Sequence, residues 1–184
     1  MFNVLVVDDQ PPIVNAMRRV INQIPAGWLH QQACNVTGFS DPAEALQSLN
    51  EKPYDVVVAD LAMPGMGGME FLRKAQQLQP DATRIIVSGH GSFPTALAAI
   101  NETQVFRFVP KPWNDKELQL ALTQALLTTE LQRENQQLAD SVRADTNHAD
   151  AQAASLRKLE AEYPGITRVD WDDSGAICID EDAL

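Results

Sequence analysis

Two aspartates, Asp8 and Asp9, stand side by side directly after the apolar run VLVV at residues 4–7. Adjacent carboxylates repel, so such a pair marks either a solvated turn or a place where a cation sits between them. Asp60 closes a second apolar run, DVVVA at 55–59. Ser88 ends a third, RIIVS at 84–88, and Lys111 comes just after a fourth, VFRFV at 105–109. Each residue alone is an ordinary cap, turn or surface residue. Together they amount to three carboxylates, a hydroxyl and an ammonium. Three carboxylates around one point suit a hard divalent cation, and Mg²⁺ fits best because it takes a few carboxylates and keeps several waters. A hydroxyl and an ammonium placed opposite would complete a cradle for phosphoryl oxygens. Phosphoryl transfer needs positioning and charge neutralisation, with little covalent help. Asp60 is then the natural nucleophile, forming an aspartyl phosphate.

These residues are useful only if the chain gathers them. Short β-branched or aromatic runs at 2–7, 33–39, 55–59, 84–88 and 105–109 have strand length and composition. Between them lie helical patterns at about Ile13–Ile24, Pro42–Leu49, Met69–Leu78 and Pro94–Ile100, and a fifth begins near Asn114 or Asp115. Ser40 or Asp41 can cap the second, and Pro94 suits a first helical turn. Strand–helix alternation repeated five times predicts an α/β fold, with a doubly wound parallel sheet of five strands covered on both faces. Ligands in such sheets bind outside the carboxyl ends of the strands. Asp8, Asp9, Asp60, Ser88 and Lys111 all fall at that edge.

The pieces VLVVDD (4–9), VVVADLAMPGMGGMEFL (56–72), RIIVSGHG (84–91) and VFRFVPKPW (105–113) resemble the receiver domain of two-component response regulators, over about residues 1–125. The resemblance implies the flavodoxin-like strand order 2-1-3-4-5 and a phosphoacceptor role for Asp60. It implies that Asp9 binds Mg²⁺ directly, that Asp8 acts partly through water, and that Ala62 offers the metal its backbone carbonyl. Ser88 matches the family's hydroxyl, Lys111 its lysine, and Lys111-Pro112 its cis peptide. Phe108 falls where the family places its switch aromatic, working with Ser88. The likeness also implies a histidine kinase or phosphotransfer protein as partner. Two departures stand out. PAGWLHQQAC makes the connection at 25–34 longer than usual, and Ala62 and His90 occupy positions that tune dephosphorylation in the family.

Net charge is -11 and no block of Lys or Arg stands out, so nucleic acid and anionic membranes are poor partners. The apolar run near the start is too short for a signal or membrane-spanning segment, and a cytoplasmic protein is expected. Cys34 and Cys178 fit no metal spacing and read as reduced thiols. From Asp115 to Glu162 there is no Gly or Pro, which reads as one long helix. Residues 126–162 would form its extension. Leu131, Leu138, Val142, Ala149, Leu156 and Leu159 share one a/d frame there, with Asn135 at an a position and Asp145 at a d position. That pattern predicts a coiled-coil dimer; a lone solvated helix is the alternative. In the tail at 163–184, Tyr163-Pro164-Gly165 stops the helix, and ITRVDW and AICID around DDSG read as a small β-hairpin. Residues 140–184 carry eleven acids against four bases, so the extension is not expected to bind DNA.

The function expected is a phosphoacceptor that signals through protein–protein contact or dimerisation, and not an enzyme. Two rivals are weaker. A phosphatase using Asp60 as nucleophile would want a second acid at position 62, where this chain has Ala62. An adaptor that had lost phosphorylation would not need all five site residues.

Overall fold

Successive side chains of a strand point to opposite faces, so a strand covered on both faces must be apolar throughout. The computed structural model, which describes residues 1–89 and 104–163, shows this directly. In β1 (Phe2–Val7), Phe2, Val4 and Val6 face one core while Leu5 and Val7 face another. In β3 (Val56–Ala59), Val56 and Val58 join the first core, and Val57 and Ala59 the second. In β4 (Thr83–Gly89), Ile85 and Val87 part from Ile86 in the same way. Each fully buried Val or Leu contributes about 1.5–3 kcal/mol.

The remaining elements close these layers. α1 (Pro11–Asn22) presents Val14, Met17, Val20 and Ile21 to the first core, beside Leu118, Leu122 and Leu126 of the long helix α4 (Asp115–Glu162). α2 (Pro42–Glu51) and α3 (Gly68–Leu78) cover the second through Ala45, Leu49, Phe71, Leu72 and Ala75. With β2 (Cys34–Phe39) and β5 (Arg107–Lys111), the sheet is all parallel in the order β2-β1-β3-β4-β5, as the resemblance implies.

Helix starts follow their caps. Asp41 caps α2 by accepting the Ala43 N–H at 2.7 Å. Asn114 caps α4 through the Lys116 N–H at 2.9 Å. α1 begins two residues earlier than the apolar stripe suggests, because Pro11 and Pro12 suit a first turn that spends no N–H. β5 runs later than expected, so Lys111 is its last residue instead of following it. The long connection contains a 3₁₀ turn at Ala26–Leu29, then His30 and Gln31 with positive φ of 50° and 64°.

One compact unit comprises Met1–Asn135 and a second begins at Gln136. α4 runs unbroken to Glu162, as its composition predicts. In the second unit Leu138, Val142, Leu156 and Leu159 are exposed. Among the described residues no helix is long and apolar enough to cross a membrane. His90, the expected helix at 94–100, Cys178 and the expected hairpin lie outside the described residues.

Candidate functional site

The sheet register explains why residues so distant in sequence meet. Val7 pairs with Ala59, so the next residues, Asp8 and Asp60, leave adjacent strands side by side. The Asp60 N–H donates to the Val7 carbonyl at 3.1 Å, and the Asp8 N–H to that of Phe39 at 3.2 Å. On the other flank Ala59 pairs with Ile86, and Gly89 with Lys111. Ser88 and Lys111 therefore reach the same edge.

Lys111 is the centre of the charge balance. Its Nζ donates to Asp8 Oδ2 at 2.5 Å and to Asp60 Oδ2 at 2.7 Å. The Asp8 side chain is fully buried and that of Asp60 nearly so. Oδ1 of Asp8 accepts the Gln10 N–H at 3.0 Å, and Oδ1 of Asp60 accepts that of Ala62 at 3.3 Å. Ser88, also fully buried, hydrogen-bonds the Asp60 carboxylate.

The two acids respond differently to these surroundings. Burial pushes the Asp8 carboxyl above the usual carboxylate range, and hydrogen bonds from Lys111 and Gln10 only partly oppose it. Burial also raises Asp60, but Lys111, Ser88 and the Ala62 N–H together carry it below that range. The same carboxylates hold the Lys111 ammonium above its ordinary value despite its own burial. Asp60 is thus kept ionised, as a nucleophile must be.

The fit of a divalent cation can be judged from the donor set. One oxygen from each of Asp8, Asp9 and Asp60 lies within 4.8 Å of the others. Asp9 Oδ1 is buried and has no hydrogen-bond partner. A buried carboxylate oxygen left without a donor is costly, and a cation would satisfy it. Oxygen ligands of this kind suit Mg²⁺, so these three residues would hold it, and the ion would supply positive charge toward incoming phosphoryl oxygens. Adding Mg²⁺ at about ten times its dissociation constant should stabilise the fold by about 1.4 kcal/mol. Thermal melts with and without chelator check this, and Asp9→Asn should erase most of the increment.

Two neighbours of the site were not singled out by the sequence reading. At Gly68, the first residue of α3, an added Cβ would lie 1.9 Å from the Asp60 carbonyl oxygen and 2.7 Å from Leu61 Cα. Only glycine lets the helix start so close to the Asp60 backbone; the signal was the Gly67-Gly68 pair at the helix entrance. The second is an apolar cleft of about 440 Å³ lined by Ile13, Ala16, Lys111, Pro112 and Trp113. The Lys111-Pro112 bond is cis. Phe108 is half-buried and packs at the edge of the second core.

The likeness to known proteins covers this region. A family model described as the response regulator receiver domain matches residues 4–123. The chain is 30% identical over 143 residues to the hydrogenase transcriptional regulatory protein HoxA of Cupriavidus necator, covering 78% of this chain and 28% of that protein. It is 34% identical over 145 residues to a putative NtrX-like response regulator of Rickettsia conorii, covering 76% and 28%. The chain therefore spans less than a third of the curated relatives it matches. A crystal structure of a signal receiver domain from an HD domain-containing protein of Pseudomonas fluorescens superposes with a TM-score of 0.61 at 31% identity, covering 70% of this chain and 97% of that one. Sheet order, strand-end acids and sequence likeness agree, and the chain belongs to the response regulator receiver domain family.

Proposed function

We propose that Asp60 accepts a phosphoryl group from a histidine kinase or phosphotransfer protein in a cytoplasmic two-component pathway. The P–N bond of the donor's phosphohistidine breaks, a P–O bond to the Asp60 carboxylate forms, and the imidazole leaves with the electron pair. The observation that carries this reading is the environment of Asp60. It is buried and ionised, and it touches an ammonium, a hydroxyl and a backbone N–H, with an unpartnered acid oxygen of Asp9 nearby. Mg²⁺ held by Asp8, Asp9 and Asp60, with the Ala62 carbonyl as a further ligand, would offset the negative charge brought in. The cleft of Ile13, Ala16 and Trp113 at the edge of the site offers a donor protein apolar area close to Lys111.

The signal leaves by protein–protein contact. Phosphoryl oxygens would draw the Ser88 hydroxyl toward them, and Phe108, half-buried at the core's edge, would turn inward, reshaping the surface near β5. α4 would present that state to a partner, in a dimer of this chain. With Mg²⁺ and a small phosphodonor such as acetyl phosphate, the chain should take up one base-labile phosphoryl group. Chelator should stop the uptake and Asp60→Asn should abolish it; uptake that persists undiminished in Asp60→Asn would contradict the assignment.

A further inference from the structure

Three residues of α4 tie it to the rest of the first unit by polar contacts. The Thr129 hydroxyl donates to the Asp55 carbonyl at 3.1 Å and lies 2.7 Å from that of Thr83. Glu130 accepts from Gln32 at 2.6 Å and sits 3.2 Å from His30 Nδ1. Arg133 pairs with Asp55 at 2.8 Å. In the heptad frame that puts Leu131 at d and Asn135 at a, these three residues occupy b, c and f. The a/d positions lie on the other face. Leu131, Leu138, Val142, Leu156 and Leu159, each at a or d, are 43–64% exposed.

We infer that this face pairs with the same face of a second copy, parallel and in register, and that pairing does not require phosphorylation. The inference rests on the proposed self-association and gives it an orientation and a regulation. Three features point to an identical helix as the occupant. The 3–4 spacing runs from Leu131 to Tyr163, the narrow seam of a two-stranded coil and not the wider stripe that packs on a globular surface; Asp145 and Gln152 interrupt it at d, and Asp145 would meet its own counterpart there at a cost in stability. Most charges sit away from the seam: Arg133, Asp140, Arg143, Arg157 and Lys158 take b, c or f positions. In a parallel pair each g position meets the e position five residues on in the partner. Glu134 then meets Ala139, and Ser141, Ser155 and their counterparts bring no like-charged pair together. Asn135 at a would hydrogen-bond its own counterpart only when the two helices are parallel and unshifted. Because Thr129, Glu130 and Arg133 take b, c and f positions, pairing through a and d positions uses none of their contacts.

The full chain, sedimented at about 100 μM with and without Mg²⁺ and beryllofluoride, should be dimeric in both conditions, well above a micromolar dissociation constant. Leu138→Asp with Leu156→Asp should give a monomer that still takes up phosphoryl groups from acetyl phosphate at the parent's rate. With Cys34 and Cys178 replaced by Ser, Leu138→Cys and Leu156→Cys should each form a disulfide-linked dimer when treated with diamide, which takes up the two electrons and two protons, and the chain without either added cysteine should not. A monomer at that concentration would overturn both the inference and the self-association beneath it. A dimer that resists cross-linking at both positions would overturn the parallel register and leave self-association standing. A dimer seen only with beryllofluoride would overturn independence from phosphorylation.

Discussion

Lys111→Met should lower the rate of phosphoryl uptake by about a hundredfold and change the pH dependence of stability. The ammonium contacts Asp8 and Asp60 together, and both carboxylates are buried. Removing one partner of a buried ion pair costs about 3 kcal/mol, because the remaining charges stay desolvated. The sign with pH follows from the two shifts. Asp60 is held below its ordinary value, so its contribution is present above the unfolded value and lost as pH falls through the folded one. Asp8 is raised, so its contribution is present at low pH and lost as pH rises through its folded value. Without Lys111, both acids lose their strongest opposition to burial and both move up, although Ser88 and the Ala62 N–H still favour the Asp60 carboxylate and the Gln10 N–H that of Asp8. The variant should then be more stable near about pH 5 than near about pH 8, and added Mg²⁺ should restore most of the loss. Urea melts across pH check this; a variant as stable as the parent at high pH would show that Lys111 does not balance the two acids.

Gly68→Ala should destabilise the receiver by about 2–4 kcal/mol and slow phosphorylation as well. The new methyl would overlap the backbone of Asp60 and Leu61, which cannot swing aside as a side chain can. Either α3 or the Asp60 loop must shift, and a displacement of about 1 Å at a reacting group can cost a hundredfold in rate. Gly67→Ala is the control, since its nearest neighbour is 4.0 Å from the added carbon. Equal stability and equal uptake rates for the two variants would show that the tight approach at position 68 has no consequence.

What could be read in advance depended on how local the cause was. The strands were legible because doubly covered strands need unbroken apolar runs, and 4–7, 56–59 and 84–87 are such runs. The site acids were legible because parallel strands put their carboxyl ends on one edge, so Asp8 and Asp60 had to be neighbours once β1 and β3 were. The double contact of Lys111 was not legible. It depends on the register Gly89 with Lys111, and β5 starts two residues later than its apolar run suggests. The span of the first unit was also hidden. The apolar repeat Leu118, Leu122, Leu126 ends near residue 126, whereas the contacts that carry the unit to Asn135 are polar and distant in sequence: Thr83 with Thr129, His30 and Gln32 with Glu130, and Asp55 with Arg133. The long connection at 25–34 supplies two of those partners, which its composition alone did not suggest.

The phosphorylated position itself can be located directly. The full chain is incubated with acetyl phosphate and Mg²⁺, reduced with borohydride to convert an acyl phosphate to the stable alcohol, digested and sequenced by mass spectrometry. Homoserine in place of aspartate at Asp60, and at no other acid, is the expected result. Reduction at Asp8 or Asp9 instead, or an unmodified Asp60 in a chain that has taken up phosphate, would contradict the phosphoacceptor assignment.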